Sequence, residues 1–497
     1  MKTIYNFSFM LIIAGALLFV TSCTKILDQK PSDYPTEATF WKTGKDAQTG
    51  LAGCYSELRS QLLNGDGGMA YFTYGDFPSQ VFASAYWAQD PFFGKYENYG
   101  SDLLSDWSQW YRTITSVNVL LEKVPEIPLS EFNANPAIAA VEKNKILGEA
   151  HFIRAYTFFY MARIWGEFPM VLKAISSSTD AVNDVPYSTN AEILDQCMID
   201  LTEASKLLNW GYLQSSERAV RANKGSVFAL MAHLNMWRAR PSVADSKAES
   251  YVKMAEAACD SVIELGGYEL VNTEEYTSIF KGKSMEGIFE IEFSVGNSEY
   301  FGNDGFTTRL LAKPILPKGP DEPIFKFSGE FLGLFDDPND ARRTAFFYNL
   351  GEYNCQCIKY ASISYPSSDL TTWRSEDNLV IFRLADIMLL RAEALSRLNK
   401  YSDARFWLNK VRNRAVLEDF SGTDDGLAEA ILQEMKRELF LEGHNLYDIV
   451  RTGAYAQNPY YGEQRYKEEG YYWPVNVNLF SRNKYTRQTP YWSSRLN

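Results

Sequence analysis

Apolar residues recur three and four positions apart through most of this chain, with alanines set among them, so the chain is committed to packed helices. In "FRLADIMLLRAEALSRLNKYSDARFWLNKVRNRA", Leu384, Ile387, Met388, Ala394 and Leu398 line one helix and Ala404, Leu408 and Val411 line the next. A second pair lies in "GSVFALMAHLNMWRARP" and "SKAESYVKMAEAACDSVIELGGY", stopped by Pro241 and by Gly266-Gly267. Ser105 to Val124 places Trp107, Trp110, Tyr111, Ile114, Val117 and Leu121 on one helical face, which assigns both tryptophans to packing. Glu142 to Trp165 repeats the pattern and adds Ala150, Ala155 and Ala162, where a neighbouring helix can approach closely. Asp386, Arg391 and Glu393 fall within such a packed helix, where charged side chains pair between helices.

Alanine-rich helix pairs of roughly 34 residues with Tyr or Gly at the turn resemble tetratricopeptide repeats, imperfect and irregularly spaced here. Strand-like sequence is sparse, "EGIFEIEFS" (Glu286 to Ser294) being a short period-two run. Two regions, about 64–104 and 272–338, lack sustained helical period and are rich in Gly, Pro and aromatic residues. The expected fold is mostly α, helix pairs interrupted by loop-rich insertions, and such insertions are where a helical scaffold carries function.

The chain's first residues bear on where it works. Lys2 precedes an almost wholly apolar run from Phe7 to Val20, too short for comfortable membrane spanning and typical of an export signal. Val20, Thr21 and Ser22 then lead into Cys23, the pattern of a bacterial lipobox in which the cysteine becomes the acylated first residue. Residues 1–22 are accordingly read as a lipoprotein signal peptide, Cys23 as a lipid anchor, and 23–497 as one helical domain. The remaining cysteines (Cys54, Cys197, Cys259, Cys355 and Cys357) are odd in number and scattered, so they are read as structural thiols.

A net charge of −13 disfavours a nucleic-acid partner. No G-x-S-x-G, H-E-x-x-H or phosphate-cradling glycine loop occurs, and of the three histidines His151 and His233 lie in core-like helices. His444 follows a helix-capping Gly443. "DDPNDARRTAFF" lacks the glycine of a calcium-binding loop and has Phe347 where the bidentate Glu belongs. These readings identify no catalytic constellation, and neither a metal nor a cofactor is expected.

Several stretches together resemble the SusD/RagB family, nutrient-binding surface lipoproteins of the Bacteroidetes. The family's L-D-x-x-P segment and F-W-x-x-x-x-D-A helix start read here as "CTKILDQKP" and "FWKTGKDA". Its W-x-x-x-Y-x-x-I-x-x-x-N helix matches Trp107, Tyr111, Ile114 and Asn118, and its A-x-F-x-R-A-Y helix matches "EAHFIRAY". Further on, "RLADIMLLRAEAL", "RELFLEGHNLYDIVRTG", "YWPVNVNLF" and "RQTPYW" follow in the family's order, with Asn445 replacing an Arg and Asn476 a second Pro. The resemblance implies four tetratricopeptide-like helix pairs in a right-handed superhelical scaffold. It also implies an outer-membrane, cell-surface location. There the protein would act as a lid on a SusC-like TonB-dependent transporter, capturing an oligosaccharide or an oligopeptide, or serving only as a structural subunit.

In the family the ligand surface comes from the loops before the W-x-x-x-Y helix and from the irregular middle region. Sugar faces stack on aromatic rings, and sugar hydroxyls need planar polar partners. From "FTYGDFPSQVFASAYWAQDPFFGKYENYG" the candidates are Trp87 first, then Tyr74, Asp76, Tyr86 and Phe92. From "SVGNSEYFGND" they are Tyr300 and Asn303, with Phe301 in reserve. Aromatics in long loops also pin those loops to a scaffold, so each candidate has a packing alternative.

Overall fold

The structure, a computed structural model, describes residues 40–64, 68–83, 103–174, 185–243, 245–459 and 461–495. Among the described residues, ten principal helices carry it. They are α1 (Gly44–Leu62), α2 (Trp110–Lys123), α3 (Pro136–Trp165), α4 (Asn190–Leu207) and α5 (Lys224–Arg238). After them come α6 (Ala248–Leu265), α7 (Leu384–Arg397), α8 (Tyr401–Arg414), α9 (Leu427–Leu439) and α10 (Asn445–Thr452). The first eight pack as four successive pairs, α1 with α2, α3 with α4, α5 with α6 and α7 with α8. Each pair also leans on the next, through α2–α3, α4–α5 and α6–α7. The fold is mostly helical and tetratricopeptide-like, as the alanine spacing indicates.

Local chemistry sets the helix starts. Thr43 and Asp46 form a reciprocal capping box at α1, Thr189 and Glu192 form one at α4, and Asn223 and Ser226 do the same at α5. α3 begins at Pro136, earlier than its apolar pattern shows, because Asn135 caps it and proline pre-sets the first helical φ. Ile138 and Val141 in that first stretch are exposed, so no buried stripe marks it in the sequence. Between α7 and α8 the chain reverses at Asn399, which takes the left-handed φ of +60° that asparagine tolerates.

The second half of α3 is almost wholly buried, with side chains packed inside on every face of the helix. Its charged residues are matched by neighbours. Arg154 holds Asp200 of α4 at 2.6 Å, and Glu149 takes Arg221 at 2.6 Å and the Tyr55 hydroxyl of α1. The same device joins later helices. Asp386 meets His233 at 2.9 Å, Glu393 meets Arg451 at 2.6 Å, and Arg391 reaches Glu256 and Asp260 of α6. Such pairs fix which helix meets which, because an unpaired charge in these positions would be costly.

The strand at Gly287–Ile291 pairs antiparallel with Leu379–Arg383, and both are buried along their full length. Period-two alternation implies a half-exposed strand, yet Glu286 and Glu290 are buried as well. Glu286 stays inside because Arg383 and Arg414 bind it at 2.6 and 2.8 Å. Arg383 and Arg342 are the hub of a buried ionic cluster that also takes in Lys359, Asp340, Glu434, Glu438 and Glu442. Much of the "RELFLEGHNLYDIVR" segment is therefore the lock between the last helices and the middle of the chain. Cys54, Cys197, Cys259, Cys355 and Cys357 are free and buried, and burial pushes the Cys357 thiol up to about 12. Among the described residues no helix is long and apolar enough to cross a membrane.

Candidate ligand surface

The two irregular regions, far apart in sequence, build one face. Phe82 bridges Phe327, Ala83 N–H donates to Lys326 O at 2.8 Å, and Ser328 N–H donates to Val81 O at 2.9 Å. Beneath this joint lies a phenylalanine cluster. Phe72 stacks on Phe306 at 4.1 Å, Phe77 meets Phe325 at 5.4 Å and Phe82 stacks on Phe327 at 5.2 Å. Aromatic burial of this kind anchors loops without helical hydrogen bonds. The described residues break off on this face at Ala83 and resume at Leu103.

The sequence candidates divide three ways. Trp87, Tyr86 and Phe92 lie outside the described residues, as does Cys23. Tyr74 and Asp76, expected in a ligand loop, are in the interior, 2% and 0% exposed. Tyr74 hydroxyl donates to Leu104 O, and its ring stands edge-on to Trp165 and Trp473. It thereby pins the point where the 84–102 segment rejoins the scaffold. Asp76 accepts from Leu441 N–H at 3.0 Å and Gly443 N–H at 2.8 Å, and burial pushes its carboxyl well above the usual range. Its contacts clamp the loop between α9 and α10. The polar and aromatic residues look alike in sequence, but the short helix Ala70–Gly75 turns these two inward.

Tyr300 is half-buried and Asn303 is exposed. The Arg374 guanidinium lies 4.5 Å from the Tyr300 ring centre. Asn303 donates to Thr371 O at 2.9 Å and accepts from Trp373 N–H at 2.9 Å, tying the 300–303 turn to the segment that leads into the short strand Arg374–Ser375. Phe301 is buried and stacks on Phe293 at 5.0 Å, a packing role. Trp373 Nε1 and Arg374 Nε are buried donors with no protein acceptor. Buried orphan donors are uncommon and mark places where a ligand or water completes the bonding.

Sequence reading missed Tyr353. It is 75% exposed, an unusual state for a tyrosine, and one face of its ring is covered by Lys326 Nζ at 3.8 Å. Lys326 is itself held by Glu322 at 2.7 Å, and its carbonyl carries the Ala83 bond at the root of the 84–102 segment. "GEYNCQC" offers no periodicity that separates an exposed stacking ring from a pinned one, so only the fold reveals it.

One buried group among the described residues has metal-binding side chains in proximity. His233, Asp386 and His444 place donor atoms within 4.8 Å of one another. His233 Nε2 bonds Asp386 at 2.9 Å and His444 Nε2 lies 3.2 Å from Ile381 O. Burial holds His444 down to about 4 and raises Asp386 to about 6, while the charges of Arg451 and Arg163 add to the lowering at His233. Those nearby guanidinium groups oppose a further cation, and we read the group as internal packing, in which His233 ties α5 to α7 through Asp386 while His444, just before α10, bonds the strand at Ile381.

Comparison with known proteins gives a consistent result. Two family models match, one described as "SusD family" over residues 335–492 and one as "Starch-binding associating with outer membrane" over residues 57–236. SusD-like protein P38 of Formosa agariphila is 26% identical over 497 residues, spanning 91% of this chain and 92% of its own length. The starch-binding protein SusD of Bacteroides thetaiotaomicron is 33% identical over 97 residues, 20% of this chain and 15% of its own. The crystal structure of a SusD homolog from the same organism superposes with a TM-score of 0.79 at 25% identity, covering 91% of this chain and 99% of that one. With these matches, the four stacked helix pairs and the ordered motifs along its length, the chain belongs to the SusD/RagB family.

Proposed function

We propose that this protein is an acylated cell-surface lipoprotein that holds an oligosaccharide on the face built by its two irregular regions. It passes the ligand to a SusC-like TonB-dependent transporter of the outer membrane, over which it closes as a lid. The observation that supports this reading is the joint of Val81, Phe82 and Ala83 with 326–328, which brings the two irregular regions together beside the exposed ring of Tyr353. Rings of this kind stack on sugar faces, and orphan donors at Trp373 and Arg374 supply hydrogen bonds to hydroxyls. One matching family model and one relative are described by starch binding, which favours a glycan over a peptide. Acylation of Cys23 gives the membrane attachment, and the reading assigns no catalytic step.

The test is affinity electrophoresis and calorimetry of the full chain against a panel of polysaccharides and oligopeptides. Retention by one glycan class is expected, weakened at least about tenfold in Trp87→Ala, as for a truncated stacking hot spot. Tyr353→Ala should weaken binding severalfold without lowering the melting temperature, since its ring is exposed. Binding only to peptides would overturn the glycan assignment, and binding to nothing would overturn the ligand-holding role.

A further inference from the structure

Tyr300 and Arg374 make a cationic platform on a small, well-braced sheet. Phe301 and Ser375 exchange both backbone hydrogen bonds at 2.9 Å, and Ser375 pairs in turn with Ile363, so three segments run side by side. Phe301 is 4% and Ser375 0% exposed. Side chains alternate along extended backbone, which puts the half-buried Tyr300, Arg374 and Glu376 on the opposite, outer side. The Arg374 guanidinium lies 4.5 Å from the Tyr300 ring centre, a contact that restricts its orientation.

The charge of Arg374 has no counterion. Among the described residues no carboxylate forms an ion pair with it, and no nitrogen of its guanidinium has a hydrogen-bond acceptor. Nε is enclosed, but the side chain is only half-buried and its two terminal nitrogens stay open at the surface. The chain has 62 acidic residues from which to neutralise that cation, and the carboxylates nearby in sequence are engaged elsewhere. Glu299 pairs with Arg59, and Glu376 accepts from the Ser364 hydroxyl at 3.2 Å. Asn303 bonds Trp373 N–H through Oδ1 and Thr371 O through one amide proton, so its spare capacity is a second N–H.

Ligand hydroxyls would satisfy the N–H groups of Arg374 but leave its charge unmatched. Two parallel terminal N–H groups fit a planar carboxylate bidentately, and such charge-assisted bonds are about twice as strong as neutral ones. Glu376, on the same outer side, can accept from ring hydroxyls, a pairing that a simple inorganic anion does not use.

We propose that Arg374 anchors an acidic saccharide, taking the carboxylate of a uronic-acid residue between its two terminal nitrogens while Tyr300 orients the guanidinium. That the carboxylate belongs to a sugar rests on the function proposed above. That the site takes an anion rests on the unpaired guanidinium.

The test is calorimetry of the full chain with trimers of galacturonate, glucuronate and mannuronate, each paired with its methyl ester, and with maltotriose and a sulfated carrageenan tetrasaccharide. Four proteins are compared: the native chain, Arg374→Gln, Arg374→Lys and Arg482→Gln. Arg482 is exposed in the C-terminal segment and controls for the loss of one positive charge. At least one uronate is expected to bind the native chain, and its methyl ester at least about tenfold more weakly. Arg374→Gln should weaken the acid about tenfold and leave the ester unchanged. Arg374→Lys should fall between, since it keeps the charge and loses the paired donors. Arg482→Gln should match the native chain. No ion pair is broken at Arg374, so melting temperatures should not move, and the comparison of acid with ester needs no variant.

Equal binding of acid and ester would overturn the proposal, as would an acid preference that persists in Arg374→Gln or is lost equally in Arg482→Gln. Binding of the sulfated tetrasaccharide alone would overturn the carboxylate assignment. Binding of neutral glycans alone, indifferent to Arg374, would overturn the acidic subsite and leave the oligosaccharide reading standing. No binding of any glycan would overturn both.

Discussion

Arg383→Met is expected to destabilise the folded chain by about 3–5 kcal/mol, the range seen when one partner of a buried ionic group is removed. Arg383 is fully buried at the end of its strand and donates five hydrogen bonds, to Glu286, Glu438 and Glu442 side chains and to Glu438 O. Methionine keeps much of the volume and supplies no donor, so three carboxylates lose their common cation. The midpoint of denaturant unfolding at neutral pH reports the effect, and a loss below about 1 kcal/mol would contradict the account of the cluster. Acid should act on the same cluster. Burial alone would raise Glu438 and Glu442, but Arg414 and Arg383 around the first, and Arg383 and Lys359 around the second, outweigh it and hold both below the usual range. A depressed carboxylate contributes stability that is present above its unfolded value, near 4.3, and lost as pH falls through the folded value. The native chain should therefore lose stability progressively below about pH 4, and Arg383→Met, already without that contribution, should lose less over the same range.

Gly75→Ala is expected to cost at least about 3 kcal/mol, at the upper end for overpacking, and to weaken glycan binding as well. A Cβ on Gly75 would stand 2.3 Å from Gly443 O and 2.5 Å from its Cα, and those backbone atoms have no rotamer by which to yield. Gly443 is confined in turn, since it has φ +72° and its own Cβ would strike Tyr71 at 2.6 Å. The Asp76 carboxylate locks the same contact through Leu441 and Gly443. Displacing residue 75 shifts the chain to Ala83 and so the root of the ligand face. Gly53→Ala is the control, as nothing lies within 4 Å of the added carbon. It should be neutral or stabilise by up to about 1 kcal/mol, the gain of alanine over glycine in a helix. A stable Gly75→Ala with unchanged binding would show that this close approach is not required.

The helix pairs were legible because burial imposes a period on them. Leu384, Ile387 and Met388, or Ala404, Leu408 and Val411, have to face a neighbour, and the spacing shows it. α4 was not seen, although its capping box is intact, because Ile193, Leu194, Cys197, Leu201 and Ala204 make only a narrow stripe. Inter-helix pairing of Asp386, Arg391 and Glu393 was also readable, since charges inside a packed helix need partners. The ligand face was less legible. Loop composition marks the two regions, but whether a ring points in or out is decided by contacts remote in sequence. Tyr74 and Asp76 turned inward to partners at 104, 441 and 443, while Tyr353 stayed out over Lys326. Nothing local to those residues encodes the difference.

The most direct test of the proposed ligand face is hydrogen exchange of the full chain with and without the glycan class retained in affinity electrophoresis. The account predicts slowed exchange in segments 64–104 and 296–328 and around Tyr353, with the helix pairs α3–α4 and α5–α6 unchanged. Protection confined to the helical scaffold, or none in these loops at saturating glycan, would contradict it.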